Sequence, residues 1–260
     1  MDLRLLILSL IEGLTEFLPI SSTAHLILVS KLTSIDLTSS YIKFYLLFIQ
    51  FGALLAGVSV FAKRVFRDKK ILINIFISFI PSAILGFVFY KMFKQLLEGN
   101  ILLLLLALSL GGVVFIYLEK VYMVRNTEKE KDFGKEEINK MDAFILGLSQ
   151  VIAIVPGVSR SGATIVAGIL RGIKKSVVFE YTFILALPTL GVAVLYDAYK
   201  SREVLSAITS YNELILGFFV SYVVATITLY VLRKYLSNLS LTMFGWYRII
   251  LALVVIFFIA

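Results

Sequence analysis

Two polar stretches interrupt an otherwise apolar chain, and both hold residue types that can do chemistry. The first, Glu12-Gly13-Leu14-Thr15-Glu16-Phe17-Leu18-Pro19-Ile20-Ser21-Ser22-Thr23-Ala24-His25, brings carboxylates, hydroxyls and the only histidine. The second runs from Gln150 and ends Pro156-Gly157-Val158-Ser159-Arg160-Ser161-Gly162-Ala163-Thr164; it brings glycines, hydroxyls and an arginine. A shift of 138 positions lays Glu12 on Gln150, Ser21 on Ser159, Ser22 on Arg160 and Thr23 on Ser161. Acid–base groups in one stretch and an anion cradle in the other describe a site built between two halves.

Glu12 and Glu16 are four residues apart, so a helix sets both carboxylates on one face. Such a pair can supply a general base or hold a divalent cation through oxygen ligands. In the second stretch, glycines let backbone amides approach an anion, and a helix starting after the loop aims its N-terminal amides at it. Arg160 adds a planar fork for phosphate oxygens. Ser161 and Thr164, three apart, share a helix face. His25 lies three or four residues past Ser21 and Ser22, within reach of base-assisted nucleophilic chemistry. Arg248 with Tyr247 reads either as an interfacial anchor or as a partner of the site from behind.

The elements that must position these groups are membrane helices. Of the 260 residues 60% are hydrophobic and 16% charged, against about a quarter charged in ordinary soluble domains. With no cysteine, disulfides and thiolate metal sites are excluded. The net charge of +8 reflects basic loops at a membrane rather than a nucleic-acid surface. Asp2, Arg4, Glu12 and Glu16 break the first apolar run, so no cleavable leader is expected. That run is too interrupted to span a bilayer and reads as a re-entrant hairpin bending near Pro19 to Thr23. Uncharged spans follow at 44–62, 73–90 and 101–118. Thirteen charges of both signs then crowd into 119–142. A second re-entrant hairpin surrounds the second polar stretch, and spans return at 181–196, 214–232 and from about 241 onward. The prediction is an all-α polytopic membrane protein: an inverted-topology repeat of six full transmembrane helices plus two re-entrant helical hairpins. Residues 1–125 form the first repeat, 126–141 a charged cytoplasmic linker, and 142–260 the second repeat. Sixteen basic residues fall on one side of this topology and seven on the other, which makes the first side cytoplasmic and puts both termini outside.

The two stretches resemble the two signature motifs of the undecaprenyl-diphosphate phosphatase family (UppP/BacA). Phe-Gly-Trp-Tyr-Arg at 244–248, the charged middle and the spacing of spans extend the likeness along the chain. The resemblance implies hydrolysis of a polyprenyl (undecaprenyl-type) diphosphate to the monophosphate carrier lipid plus phosphate. By matching position it makes Glu12, Glu16, Ser22, His25 and Arg160 catalytic, and Ser21, Gly157, Ser159, Arg160, Ser161 and Thr164 diphosphate-binding. Ser22 or a water attacks, and Glu16 or His25 takes the proton. Glu12 and Glu16 permit a divalent cation, Mg or Ca, without requiring it. The expected partners are the lipid substrate and membrane lipids, with homo-oligomerisation left open. The expected location is the cell membrane, multi-pass, with the site opening to the non-cytoplasmic face. Ala24 departs from the glycine that often precedes the histidine, and a left-handed backbone there would strain it. The rival reading is a transporter or lipid flippase for a phosphorylated polyprenyl substrate.

Overall fold

Backbone that crosses a bilayer must satisfy its own hydrogen bonds, so apolar runs fold as helices. The computed structural model describes residues 2–97, 100–125, 134–200, 202, 211–235 and 239–259, and no strand occurs among them. The helices are α1 (Leu3–Thr15), α2 (Ser22–Leu32), α3 (Ser40–Arg67), α4 (Lys69–Leu97), α5 (Ile101–Arg125), α6 (Lys140–Ser149), α7 (Arg160–Leu170), α8 (Lys175–Lys200), α9 (Asn212–Tyr235) and α10 (Leu241–Ile259). A 3-10 turn, Gln150–Ile154, follows α6. Five helices, α3, α4, α5, α8 and α9, are long and apolar enough to cross a membrane. At 19 residues, apolar α10 rises about 28 Å, close to the hydrocarbon thickness. The protein is an all-α polytopic membrane protein.

The two polar stretches are the tips of helical hairpins. In the first, α1 runs in, the chain bends through Phe17 to Ile20, and α2 runs back. Pro19 has no N–H and disfavours the helical region for Leu18, which ends the inward leg. The legs close at their base, where Arg4 Nη1 donates to the Thr33 carbonyl at 3.3 Å. In the second, α6 and the 3-10 turn run in and α7 runs back. Arg171 Nε at the end of α7 donates to Asp142 Oδ1 at the start of α6, at 2.8 Å. Inverted φ marks both tips: Ser21 has φ 70° and Ser159 φ 71°, and each caps the helix that follows. These two serines are the pair that the 138-residue shift superimposes. Ala24 lies inside α2, so the left-handed position falls three residues earlier and the alanine is unstrained.

Each hairpin leans on the opposite half. α1 packs along α9, and α6 packs along α4. Gly13 and Gly147 make this possible: a Cβ on Gly13 would lie 2.7 Å from the Ser221 carbonyl, and one on Gly147 would strike the Ser78 carbonyl. The hairpins enter from opposite ends of the bundle. At one end Asp2 N donates to Glu213 Oε1 at 3.0 Å and Tyr41 reaches Glu213 Oε2 at 3.1 Å. At the other end sit the ion pairs Arg64–Glu180 (3.1 Å), Lys174–Glu136 (2.7 Å), Lys175–Glu119 (2.9 Å) and Lys70–Glu137. The bases that the sequence places in the cytoplasm therefore gather at one end. Residues 126–133, the first half of the expected linker, lie outside the described residues; Lys135 beyond them exchanges backbone hydrogen bonds with Gly172 and Lys174.

Candidate active site

Packing the hairpins tip to tip brings Glu16 and Arg160 together although 144 residues separate them. Arg160 Nη2 donates to Glu16 Oε1 at 2.9 Å. The other carboxylate oxygen, Oε2, accepts from Ser22 Oγ at 2.6 Å. One carboxylate thus joins a hydroxyl from its own tip to a guanidinium from the other. Arg160 Nη1 also reaches the Ala186 carbonyl and Thr189 Oγ1 on α8, at 3.4 and 3.5 Å, while its buried Nε has no hydrogen-bond partner among the described residues. Ser161 Oγ crosses back to the Leu18 carbonyl at 3.0 Å, and Ser159 Oγ lies 3.1 Å from it.

These groups line one side of a cavity of about 430 Å³. Glu16, Ser21, Ser22, Gly157, Ser159, Arg160 and Ser161 all contribute to its wall, with Gln50, Gln150 and Thr189. The rest is mainly apolar, from the middle of α4, the C-terminal half of α8 and the 3-10 turn. A carboxylate, a hydroxyl and an arginine at the polar end of an apolar chamber suit an amphiphile with an anionic head.

Three expected site residues lie off this wall. Glu12 is fully buried one turn before Glu16, and neither carboxylate oxygen has a hydrogen-bond partner among the described residues. Thr164 turns away, donating to the Arg160 carbonyl at 3.1 Å and meeting Gln150 Nε2 at 3.5 Å. His25 has both ring nitrogens committed: Nδ1 to the Ser21 carbonyl at 2.8 Å and Nε2 to the Tyr247 hydroxyl at 2.7 Å. A carbonyl only accepts, so Nδ1 carries a hydrogen, and in the neutral ring Nε2 accepts from Tyr247. His25 thereby braces the left-handed turn at Ser21.

The family model described as bacitracin resistance protein BacA matches residues 5–254. The chain belongs to the BacA family. It is similar to proteins named undecaprenyl-diphosphatase in Campylobacter hominis (39% identical; 97% of each chain) and Aquifex aeolicus (40%; 95% of this chain and 94% of the other). A third, in a Sulfurihydrogenibium species, is 41% identical over 96% of each chain.

Within this BacA-family fold, Arg248 is the residue whose part the sequence leaves open. It is the largest fully buried side chain among the described residues. Its guanidinium donates to the Pro19 carbonyl of the first tip (3.2 Å), to the Gly157 and Val158 carbonyls of the second (2.6 and 3.1 Å), and to Leu108 and Ala107 on α5. No carboxylate pairs with it among the described residues. Gly111 clears the space, since a Cβ there would strike the guanidinium. The signal was a charge within an apolar span, which is costly enough to imply work. Thr189 had a fainter signal, the Pro188 interruption beside it.

A divalent cation at Glu12 and Glu16 is one expectation from the sequence. The donors suit one: Glu12 offers a buried carboxylate without a partner, and Glu16 and Ser22 add hard oxygens. No group of three His, Cys, Asp or Glu side chains clusters for a metal among the described residues. Such an ion would rely on substrate phosphate oxygens and water for much of its shell, as Mg²⁺ commonly does.

Proposed function

We propose that the protein is an integral membrane phosphatase that hydrolyses polyprenyl diphosphate, of the undecaprenyl type, to the monophosphate carrier lipid and phosphate. The observation that carries this is the Glu16 carboxylate holding Ser22 and Arg160 at the polar end of an apolar cavity. In this reading Arg160, with an unpartnered Nε, stabilises charge on the transferring phosphoryl group, helped by the Ser159 and Ser161 hydroxyls and the amides at the start of α7. Glu16 accepts the proton of Ser22 as its oxygen attacks the terminal phosphorus. The bond to the bridging oxygen breaks, polyprenyl monophosphate leaves, and water hydrolyses the phosphoserine to orthophosphate. Attack by a water activated by Glu16 gives the same products without the covalent stage. Glu12 and Glu16 would hold a divalent cation, which would neutralise phosphate charge when bound.

The cavity runs toward the end of the bundle that carries Tyr196 and Asp197, away from the ion-paired end. With the basic end cytoplasmic, the site opens to the outer face. The crossed hairpins support dividing the chain into repeats at 1–125 and 142–260, with 126–141 as the cytoplasmic linker.

The test is phosphate release from a polyprenyl diphosphate by purified protein, with and without chelator. Stoichiometric monophosphate and phosphate are expected. Binding of the lipid with no phosphate released, under either condition, would return the reading to a transporter or flippase.

A further inference from the structure

We infer that Phe87 and Tyr196 form a lateral gate through which the lipid tail leaves the cavity into the bilayer. This rests on the phosphatase reading and adds how the substrate's chain is placed. A cavity of about 430 Å³ accommodates a head group and the first few tail carbons. The remaining polyprenyl chain must continue outward without crossing the polar tips, so one wall of the cavity has to part.

The wall between α4 and α8 has the features of such an opening. Phe79, Ala83 and Phe87 line the cavity from α4, and Leu190, Ala193 and Tyr196 from α8. Phe87 and Tyr196 meet edge to face, with ring centroids 6.3 Å apart and planes at 76°. Phe87 is 71% exposed although it lines the cavity, and Val192, also lining it, is 51% exposed. At this point a single layer of side chains separates the chamber from the lipid-facing surface. Gly86 lies inside that layer, and a Cβ added there would meet nothing within 4 Å. There is therefore room for a side chain at Gly86, next to the ring pair.

The other half supplies the control. By the repeat, α3 and α9 correspond to α8 and α4, and they pack far more extensively. A Cβ on Gly52 of α3 would lie 2.5 Å from the Phe218 carbonyl of α9. Phe48 and Phe51 pack on Phe218, with centroids 5.5 and 6.1 Å away. The halves differ where one needs an exit for a chain and the other does not. An edge-to-face aromatic pair adds little beyond its buried area, so the Phe87–Tyr196 contact can open and reclose around a thin isoprenyl chain. Lys200 Nζ lies 4.5 Å over the Tyr196 ring.

The chain has no native cysteine, which permits a direct test. Phe87→Cys and Tyr196→Cys are combined and bridged by a short reducible thiosulfonate cross-linker. Hydrolysis is then compared for a long polyprenyl diphosphate and a short isoprenyl diphosphate with the same head group. Bridging is expected to cut long-chain kcat/KM by roughly tenfold or more, the scale of losing a few methylene contacts. The short-chain value should stay within about twofold, and reductant should restore the long-chain rate. Gly86→Trp, which fills the passage without cross-linking, should raise KM for the long substrate selectively. Equal loss for both substrates, or no loss for the long one, overturns the gate. Failure of the uncross-linked wild-type protein to hydrolyse either substrate overturns the phosphatase reading instead.

Discussion

Glu16 is the residue on which the two halves converge, and its neighbours separate the roles. Arg160→Lys keeps the charge but loses the planar fork that spans Glu16 and α8. Glu16→Gln keeps the size and removes the base. Each should lower turnover by about 10²–10³, or about 2.7–4 kcal/mol, the cost of one such charge-assisted contact. Steady-state phosphate release measures it, and near wild-type rates for both would sink the mechanism. Ser22→Ala is expected to abolish turnover if Ser22 attacks; substantial residual activity assigns attack to water. His25→Ala should be milder. Its Nε2 is taken by Tyr247, so Tyr247→Phe should reproduce most of the His25→Ala defect, which a general base at His25 would not allow.

At the scale of elements, each hairpin is pinned at base and tip by different chemistry. The second is closed at its base by Asp142, buried under Arg171 and Lys135 with the Asn139 amide also donating to it. Burial pushes this carboxyl up, but the Arg171 hydrogen bond, the Asn139 amide and Lys135 outweigh it and hold the group below its ordinary value. A depressed carboxylate stabilises fully above the unfolded value of about 3.9 and loses that contribution as pH falls through the folded one. Thermal melts in detergent should therefore show a gap between wild type and Asp142→Asn at pH 7 that closes below about pH 4. At the tips the shared clamp is Arg248. Arg248→Met strands the Pro19, Gly157 and Val158 carbonyls, at about 1–3 kcal/mol for each group left unsatisfied. Melting temperature and turnover should fall together. Much of this was legible in the sequence. A helix broken by Pro19, and charges set in apolar surroundings, demand a hairpin and a partner, which is why the two stretches could be read as one site between the halves. The reach of Arg248 to both tips and the seat of His25 on Tyr247 were not legible. Those contacts span 90 to 229 residues, and no local periodicity encodes them. The sequence also placed the possible left-handed strain at Ala24, whereas the cap geometry moves it to Ser21.

At the scale of the whole molecule, the two halves share a plan, while the two ends of the bundle differ in charge. The hairpins enter from opposite ends, and α5 meets α10 through a reciprocal contact. A Cβ on Gly112 would lie 2.6 Å from the Gly245 carbonyl, and one on Gly245 2.6 Å from that of Gly112. Such mutual contacts are what an axis in the membrane plane produces. The ion pairs concentrate at the end bearing Arg64, Lys70, Lys135, Arg171, Lys174 and Lys175. Basic residues in short loops stay cytoplasmic, and the distribution is sixteen against seven. Lys69 opens α4 at the basic end, and Lys200 closes α8 at the other. Single cysteines at these two positions, in a chain with none of its own, should react with a membrane-impermeant thiol reagent from opposite sides. Lys200→Cys is expected to label in intact cells, and Lys69→Cys only after the membrane is opened. Labelling of both in intact cells, or of both only after opening, would place the two helix ends on one side and rule out the crossed arrangement on which the composite site depends.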